Sequence, residues 1–303
     1  MEKKTFTVVS DYDNLLLHGS MYAPKGEKKG IVQIAHGMCE FRERYEEFME
    51  FLCKNGYVVV CHDHRGHGDS VEKETDFGWF RDFDGKAVVD DCVKVTRYIK
   101  EEYPDLPVVL FGHSMGSMVV RCYIQEHDEL IDKLIVCGSP SQNSLAGVAI
   151  FMTKCIRLFR GQRYRSKLRS YLSVGNGNDK FPGEEKGAWL TRDRSAIEKY
   201  YGNPKGRYGF TCNGFENLFK LMKRTYQKKR YALKNPTLPI HFVAGSDDPV
   251  IKDELKWFKA IESLRSVGYE NVTGKLYEGM RHEIFNEFGK EGVYEDLLTF
   301  IRA

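Results

Sequence analysis

Residues 108–120 read VVLFGHSMGSMVV, apolar at both ends with a polar knot, Gly112-His113-Ser114-Met115-Gly116, at the centre. A loop that merely turns needs no serine with a glycine two positions away on each side. That spacing suits a sharp passage from a buried strand into a helix, because side chains at the glycine positions clash where the backbone folds tightly. Such a turn lifts the Ser114 hydroxyl to the C-terminal edge of a sheet, beside a helix N-terminus whose dipole favours developing negative charge. The competing reading is a glycine-rich turn with an incidental serine. Strand-like Val108–Phe111 before the knot and helix-like Ser117–His127 after it favour a nucleophile.

Working outward, the same alternation recurs. Thr5–Ser10 and Leu15–Tyr22 flank a turn at Asp11-Tyr12-Asp13-Asn14 and read as a hairpin. Ile31–Ala35 is a short buried strand, followed by HGMCE and a helical stretch, RERYEEFMEFLCKN, that Gly56 closes. Tyr57–Cys61 is another β-branched strand and ends in HDHRGHGDS; Gly85–Tyr103 has helical spacing. Leu134–Val136, Ile240–Val243 and Leu276–Tyr277 are further strands, with helices after the last two. Strand and helix alternating almost throughout predicts an α/β fold, a mostly parallel sheet with helices on both faces.

Residues 141 to 236 break the pattern. They hold no convincing buried strand and are rich in Gly, Tyr and Asn. The net charge of +3 conceals their character: this stretch has 21 Lys and Arg against 6 Asp and Glu, +15, whereas the remainder has 25 against 37, −12. The expected organisation is a core of residues 1–140 and 237–303 with a helical cap, 141–236, inserted between two strands. Apolar residues at 42% and charged residues at 29% mark a globular chain able to bury a large core. No segment approaches the roughly 18 uncharged residues of a membrane span, and the charged start MEKKTFTVVSDYDN lacks a leader's apolar run, so a cytoplasmic location is expected. The eight cysteines, none closer than eight residues to the next, contain no CxxC knuckle and read as reduced, buried thiols.

A serine hydroxyl is a poor nucleophile until a base takes its proton, so a histidine and a carboxylate are required. Both follow later strands. IHFVAG leads into Ser246-Asp247-Asp248-Pro249, and KLYEGM into Arg281-His282-Glu283. The developing oxyanion needs donors as well. The backbone N–H of Met115, after the nucleophile, is one; the other is expected from Met38 in HGMCE, in the loop after an earlier strand.

Taken in order, HGMCE, DHRGHGDS, GHSMGS, GSDDPV and RHEIFNE resemble the α/β-hydrolases of the monoacylglycerol lipase and lysophospholipase type, often grouped with the serine aminopeptidases, from about Phe6 to Ile301. The resemblance implies Ser114 as nucleophile, Asp248 rather than its neighbour Asp247 as acid, His282 as base, and the Met38 and Met115 amides as oxyanion donors. It implies ester hydrolysis on monoacylglycerols, lysophospholipids or smaller acyl esters, with a peptidase as the alternative, and neither cofactor nor metal. Met38 departs from the small residue the family carries after HG, which implies a narrower pocket.

Three other readings compete. HDHRGHGDS holds three histidines and two aspartates, but its spacing fits neither HExxH nor the common zinc patterns; a structural loop in which Arg65 and Asp69 bond backbone is favoured. The basic runs KCIRLFRGQRYRSKLR and KRTYQKKRYALK, with interleaved tyrosines, resemble a nucleic-acid surface. Solvated helix faces are the commoner outcome for such runs, a positive rim that draws anionic lipid to the entrance fits an enzyme better, and no nucleic-acid partner is expected. The segment SLAGVAIFMTKCIRLF reads as a lid helix or a core helix, and Phe181, Trp189, Phe210 and Phe215 are candidates to line an acyl pocket. Finally, a binding module that has lost catalysis is the non-enzymatic alternative, disfavoured because every element of the constellation is present.

Overall fold

The structure, a computed structural model, describes residues 1–165, 177–206 and 208–303. Eight strands form one sheet: β1 (Glu2–Val9), β2 (Leu16–Ala23), β3 (Gly30–Ala35), β4 (Tyr57–His62), β5 (Val108–His113), β6 (Lys133–Cys137), β7 (Ile240–Gly245) and β8 (Val272–Tyr277). Their order is β1-β2-β4-β3-β5-β6-β7-β8. The hairpin expected at the start is present, β1 and β2 pairing Glu2 with Ala23 and Val9 with Leu16. β2 also runs antiparallel to β4, and every pairing from β4 across to β8 is parallel.

The two-residue period of the strands divides the core. Val58 and Val60 of β4, Leu110 of β5 and Leu134 and Val136 of β6 face one cluster, filled out by α2 (Ala87–Glu102), α3 (Met115–His127) and α7 (Glu254–Arg265). Their neighbours Val59 and Cys61, Val109 and Phe111, and Ile135 and Cys137 face the other, covered by α1 (Glu46–Lys54) and α8 (Lys290–Arg302). Strands buried on both faces, as β3, β4 and β5 are at every position, explain the unbroken apolar runs in the sequence. All eight cysteines are unpaired, and all but Cys155 are buried.

The long connection from β6 to β7 carries α4 (Ala146–Arg160), α5 (Arg194–Gly202) and α6 (Cys212–Thr225). The Thr211 hydroxyl caps α6 by accepting from Gly214 N at 3.1 Å. α6 buries Phe215, Leu218, Phe219, Leu221 and Met222, and packs on α3 of the core. α4 packs on α6 in turn but buries only Ala146 and Thr153. It is not a core helix: Leu145, Val148, Phe151, Met152, Leu158 and Phe159 are exposed around it.

Candidate active site

The loops that follow β3, β5, β7 and β8 emerge at one edge of the sheet, and the strand order makes them near neighbours. Ser114 occupies the turn between β5 and α3 with φ +54° and ψ −114°, a conformation an L-residue adopts only at a cost of about 1–3 kcal/mol. Neighbouring bonds hold it there. Ser114 N donates to Cys137 O at 2.9 Å, and the Ser117 amide and hydroxyl donate to Ser114 O at 3.1 and 2.5 Å. The flanking glycines have specific reasons. A Cβ on Gly116 would lie 2.0 Å from Ala35 O, and one on Gly112 would lie 2.5 Å from Gly116 O, so α3 reaches the end of β3 only without them.

After β7, Asp248 is fully buried and its Oδ2 lies 2.9 Å from His282 Nδ1, while its Oδ1 accepts from Val250 N at 2.8 Å. The carboxylate that meets the imidazole is thus that of Asp248; Asp247 instead gives its amide to Met280 O at 3.0 Å. A carboxylate accepts, so Nδ1 carries the proton and Nε2 is left basic. Burial acts to lower the His282 pKa, but the Asp248 charge and hydrogen bond, helped by Glu283 and Glu40, outweigh it and raise the value above 6.5. Gly138, at the end of β6 with φ +54°, makes room for this pair: a Cβ there would sit 3.2 Å from His282 Cε1 and 3.3 Å from Asp248 Oδ2.

Ser114 and His282 line one cavity of about 1040 Å³. Among the described residues no hydrogen bond joins Ser114 Oγ to His282 Nε2; such contacts commonly tighten only when substrate is in place. Met115 is the first residue of α3, so its N–H has no acceptor within the helix, and Met38 lies on the cavity wall.

The loop bearing Met38 is built from residues whose roles the sequence did not disclose. Gly37 N donates to Glu40 Oε2 at 2.6 Å, and a Cβ on Gly37 would collide with that carboxylate. His64 N donates to His36 Nε2 at 2.9 Å, which fixes the proton on His36 Nδ1, and Nδ1 in turn donates to Gly37 O at 2.8 Å. Glu40 also takes the Tyr45 hydroxyl at 2.9 Å and faces His113 Nδ1 at 3.1 Å and Arg44 Nε at 3.2 Å. Burial alone would raise the Glu40 pKa; His113 and Arg44 overcome it and hold the carboxyl well below the usual range. His113 Nε2 donates to His282 O at 3.2 Å, so one side chain links the Met38 loop to the His282 loop.

With that geometry in view, a family model described as "Serine aminopeptidase, S33" matches residues 26–289. The chain belongs to this family. Monoacylglycerol lipase from Mycolicibacterium smegmatis is 25% identical, over 93% of this chain and 91% of that one. Monoglyceride lipase from Mus musculus is 26% identical, over 91% and 82%. A thermostable carboxyl esterase from Bacillus coagulans, solved with glycerol, is 25% identical and superposes with a TM-score of 0.88 over 100% of this chain and 98% of its own. The fold is that of the α/β-hydrolases.

In this S33 family member the histidine-rich stretch that begins at the end of β4 is packed into the interior. His62, His64 and His67 are buried, with burial pushing His62 down to about 4 and His67 to about 3. Among the described residues no group of three or more His, Cys, Asp or Glu is arranged to hold a metal ion. Arg65 bonds Phe80 O at 2.8 Å, as expected of a backbone brace, and pairs with Asp91 at 2.7 Å. Asp69 differs from expectation: its carboxylate meets Arg42 at 2.7 Å and Lys205 at 2.8 Å, side chains rather than backbone. Trp189, Phe210 and Phe215 line the cavity. Phe181 does not; its ring lies under the Arg281 guanidinium at 3.9 Å.

Proposed function

We propose that this chain hydrolyses carboxylic esters of lipid type through an acyl-enzyme on Ser114. The observation that carries the reading is the buried Asp248–His282 pair, at 2.9 Å, sharing a cavity with a serine held at φ +54°. Ser114 Oγ attacks the ester carbonyl carbon as His282 Nε2 takes its proton. Asp248 keeps the imidazole in the productive tautomer and stabilises its charged form. The Met38 and Met115 amides receive the oxyanion, each supplying about 3–4 kcal/mol of barrier lowering. His282 then protonates the leaving alcohol, and water activated by the same imidazole releases the acid.

Several features favour esters over aminopeptidase substrates. An aminopeptidase needs a carboxylate for the substrate's ammonium group, and the two that line this cavity among the described residues, Glu40 and Glu283, both pair with Arg44. The walls contributed by Trp189, Phe210, Phe215 and Leu190 suit an acyl chain. The relatives above carry lipase and esterase names. A series of glycerol monoesters of increasing acyl length, assayed beside a panel of aminoacyl amides, tests the assignment; amide turnover exceeding ester turnover would reverse it.

Residues 141–236 act, in this reading, as a cap over the cavity. α4 meets an anionic lipid surface, its exposed Leu158 and Phe159 (81% and 82%) entering the interface while the +15 segment supplies attraction. Among the described residues no helix is long and apolar enough to cross a membrane. Its eight unpaired cysteines favour the reducing cytoplasm. Co-sedimentation with phosphatidylglycerol vesicles, weakened by salt and absent with phosphatidylcholine, is the expected result; equal binding to both would remove the charge from the account.

A further inference from the structure

The connection from β6 to β7 does more than roof the cavity. Six residues of its segment 184–192 (Glu184, Ala188, Trp189, Leu190, Thr191 and Arg192) are hydrogen-bonded to the loop that presents His282. The Arg281 guanidinium, one position before His282, donates to Glu184 Oε2 and Oε1 at 2.7 and 2.8 Å and to Ala188 O at 2.7 Å. One position after it, Glu283 N donates to Leu190 O at 2.7 Å. His282 N itself lies 3.4 Å from Trp189 O. Further along, Thr191 Oγ1 donates to Asn286 O at 2.8 Å. Glu287, buried, accepts from Arg192 N at 3.1 Å on each oxygen, from Arg192 Nε at 3.1 Å, from Phe288 N at 3.0 Å and from Arg281 N at 3.4 Å.

The strap also touches the imidazole. The Trp189 ring lies 5.2 Å from that of His282 at an interplanar angle of 30°, and the His113 ring lies 4.7 Å away at 43°. Hydrogen bonds thus fix both backbone neighbours of His282, and two rings confine its side chain. A movable lid makes few bonds to the catalytic loops, since each must break on opening. This segment has the opposite construction.

We infer that residues 184–192 are a fixed strap that positions the general base, with Glu287 as its anchor and Trp189 as its contact on the imidazole. The inference rests on the hydrolase reading above. Neither residue is needed to touch the reacting atoms: Glu287 acts through the His282 loop, and Trp189 steadies the imidazole in addition to lining the cavity. Their service is to keep Nδ1 on Asp248 and Nε2 aimed into the cavity, a placement whose loss by about 1 Å costs up to about 100-fold in rate.

Two variants test this. Glu287→Gln keeps the side chain's shape but turns one acceptor oxygen into an NH2 group facing backbone donors. Trp189→Leu leaves every hydrogen bond of the strap intact and removes only the ring. Each is measured for kcat and KM on a short soluble ester, and for the downfield proton resonance of His282 Nδ1–H, the direct signature of its bond to Asp248. The expected result is a sharp resonance in the wild type, a broadened or missing one in both variants, and kcat lower by about 10- to 100-fold in both, with KM changed less than threefold in Glu287→Gln. An unaltered resonance and wild-type kcat in the folded variants would overturn the strap; should Glu287→Gln fail to fold, Trp189→Leu decides alone. Failure of the hydrolase reading is separately visible, because the wild type would then show no turnover and no fluorophosphonate adduct on Ser114.

Discussion

Replacing Gly138 with alanine places a methyl group against the Asp248–His282 pair. A Cβ there lies 3.2 Å from His282 Cε1 and 3.3 Å from both His282 Nδ1 and Asp248 Oδ2. Two costs follow. The backbone at φ +54° costs an L-residue about 1–2 kcal/mol that glycine avoids. The contacts fall short of the roughly 3.5–4.0 Å preferred between non-bonded carbon atoms, so the acid and base must yield by a few tenths of an ångström. Gly161 supplies a contact-free control: nothing lies within 4 Å of an added Cβ, and its φ +84°, ψ 162° is a region open to little but glycine, so its backbone cost is at least as large as that at Gly138. Gly161→Ala therefore carries the backbone cost alone. Both variants should melt a few degrees below the wild type, at about 2–4 °C per kcal/mol for chains of this order of size. Only Gly138→Ala should lose kcat, by about tenfold or more with KM held. Hydrolysis of a short nitrophenyl ester beside thermal melts of the three proteins makes the comparison. Equal kcat in Gly138→Ala and Gly161→Ala would refute the reasoning, since the glycine would then serve the turn and not the site.

Other perturbations follow from the charges. Because His282 must be neutral to act and its pKa is raised above 6.5, log kcat/KM should rise with pH through a midpoint above 6.5. Asp248→Asn removes the charge that opposes burial, so the midpoint should drop below 6.5 while the plateau falls about ten-thousandfold; a midpoint that stays put would contradict the assigned cause. His62 is buried, neither ring nitrogen has a hydrogen-bond partner among the described residues, and burial depresses its pKa to about 4. Below its unfolded value near 6.5 the unfolded chain binds a proton that the folded chain refuses, so stability is full above 6.5 and falls as pH drops toward 4. His62→Leu should flatten that acid-side loss by an amount on the order of 3 kcal/mol at pH 4, read from urea midpoints at pH 7 and below. An unchanged slope would exclude His62 as a contributor.

Much of this architecture was legible because it obeys local rules. Val108–Phe111 reads as a buried strand and lies within β5, which is buried along its whole length, and Gly112 and Gly116 are glycines because carbonyls stand where their side chains would go. Ser114, the Asp247-Asp248 pair and His282 stood out by their places just past strands, and the family resemblance pointed to Asp248 within that pair. What stayed hidden depends on contacts between segments distant in sequence. Gly138 is an ordinary residue of CGSP until His282, 144 positions later, packs against it. Trp189 was expected only as pocket lining, and the periodicity of the 184–192 stretch says nothing of Arg281 or Glu287. Phe181 was misjudged for the same reason, since nothing in FPGEEK announces a guanidinium above it. Glu40 had a local signal, a carboxylate directly after HGMC with Arg44 four residues on, that would have marked the Met38 loop as braced. The exposed apolar face of α4 was undecidable from composition, because lid and core helices share it; what distinguishes them is that α4 packs on α6 and buries only Ala146 and Thr153.

The account stands or falls on Ser114 becoming covalently acylated. Intact-protein mass measurement after treatment with a fluorophosphonate, followed by peptide mapping, reads this directly in the wild type and in Ser114→Ala. One adduct per chain, located on Ser114, absent from Ser114→Ala and accompanied there by turnover lower by roughly a millionfold, is the predicted result. An adduct on another residue, or near wild-type turnover in Ser114→Ala, would contradict it.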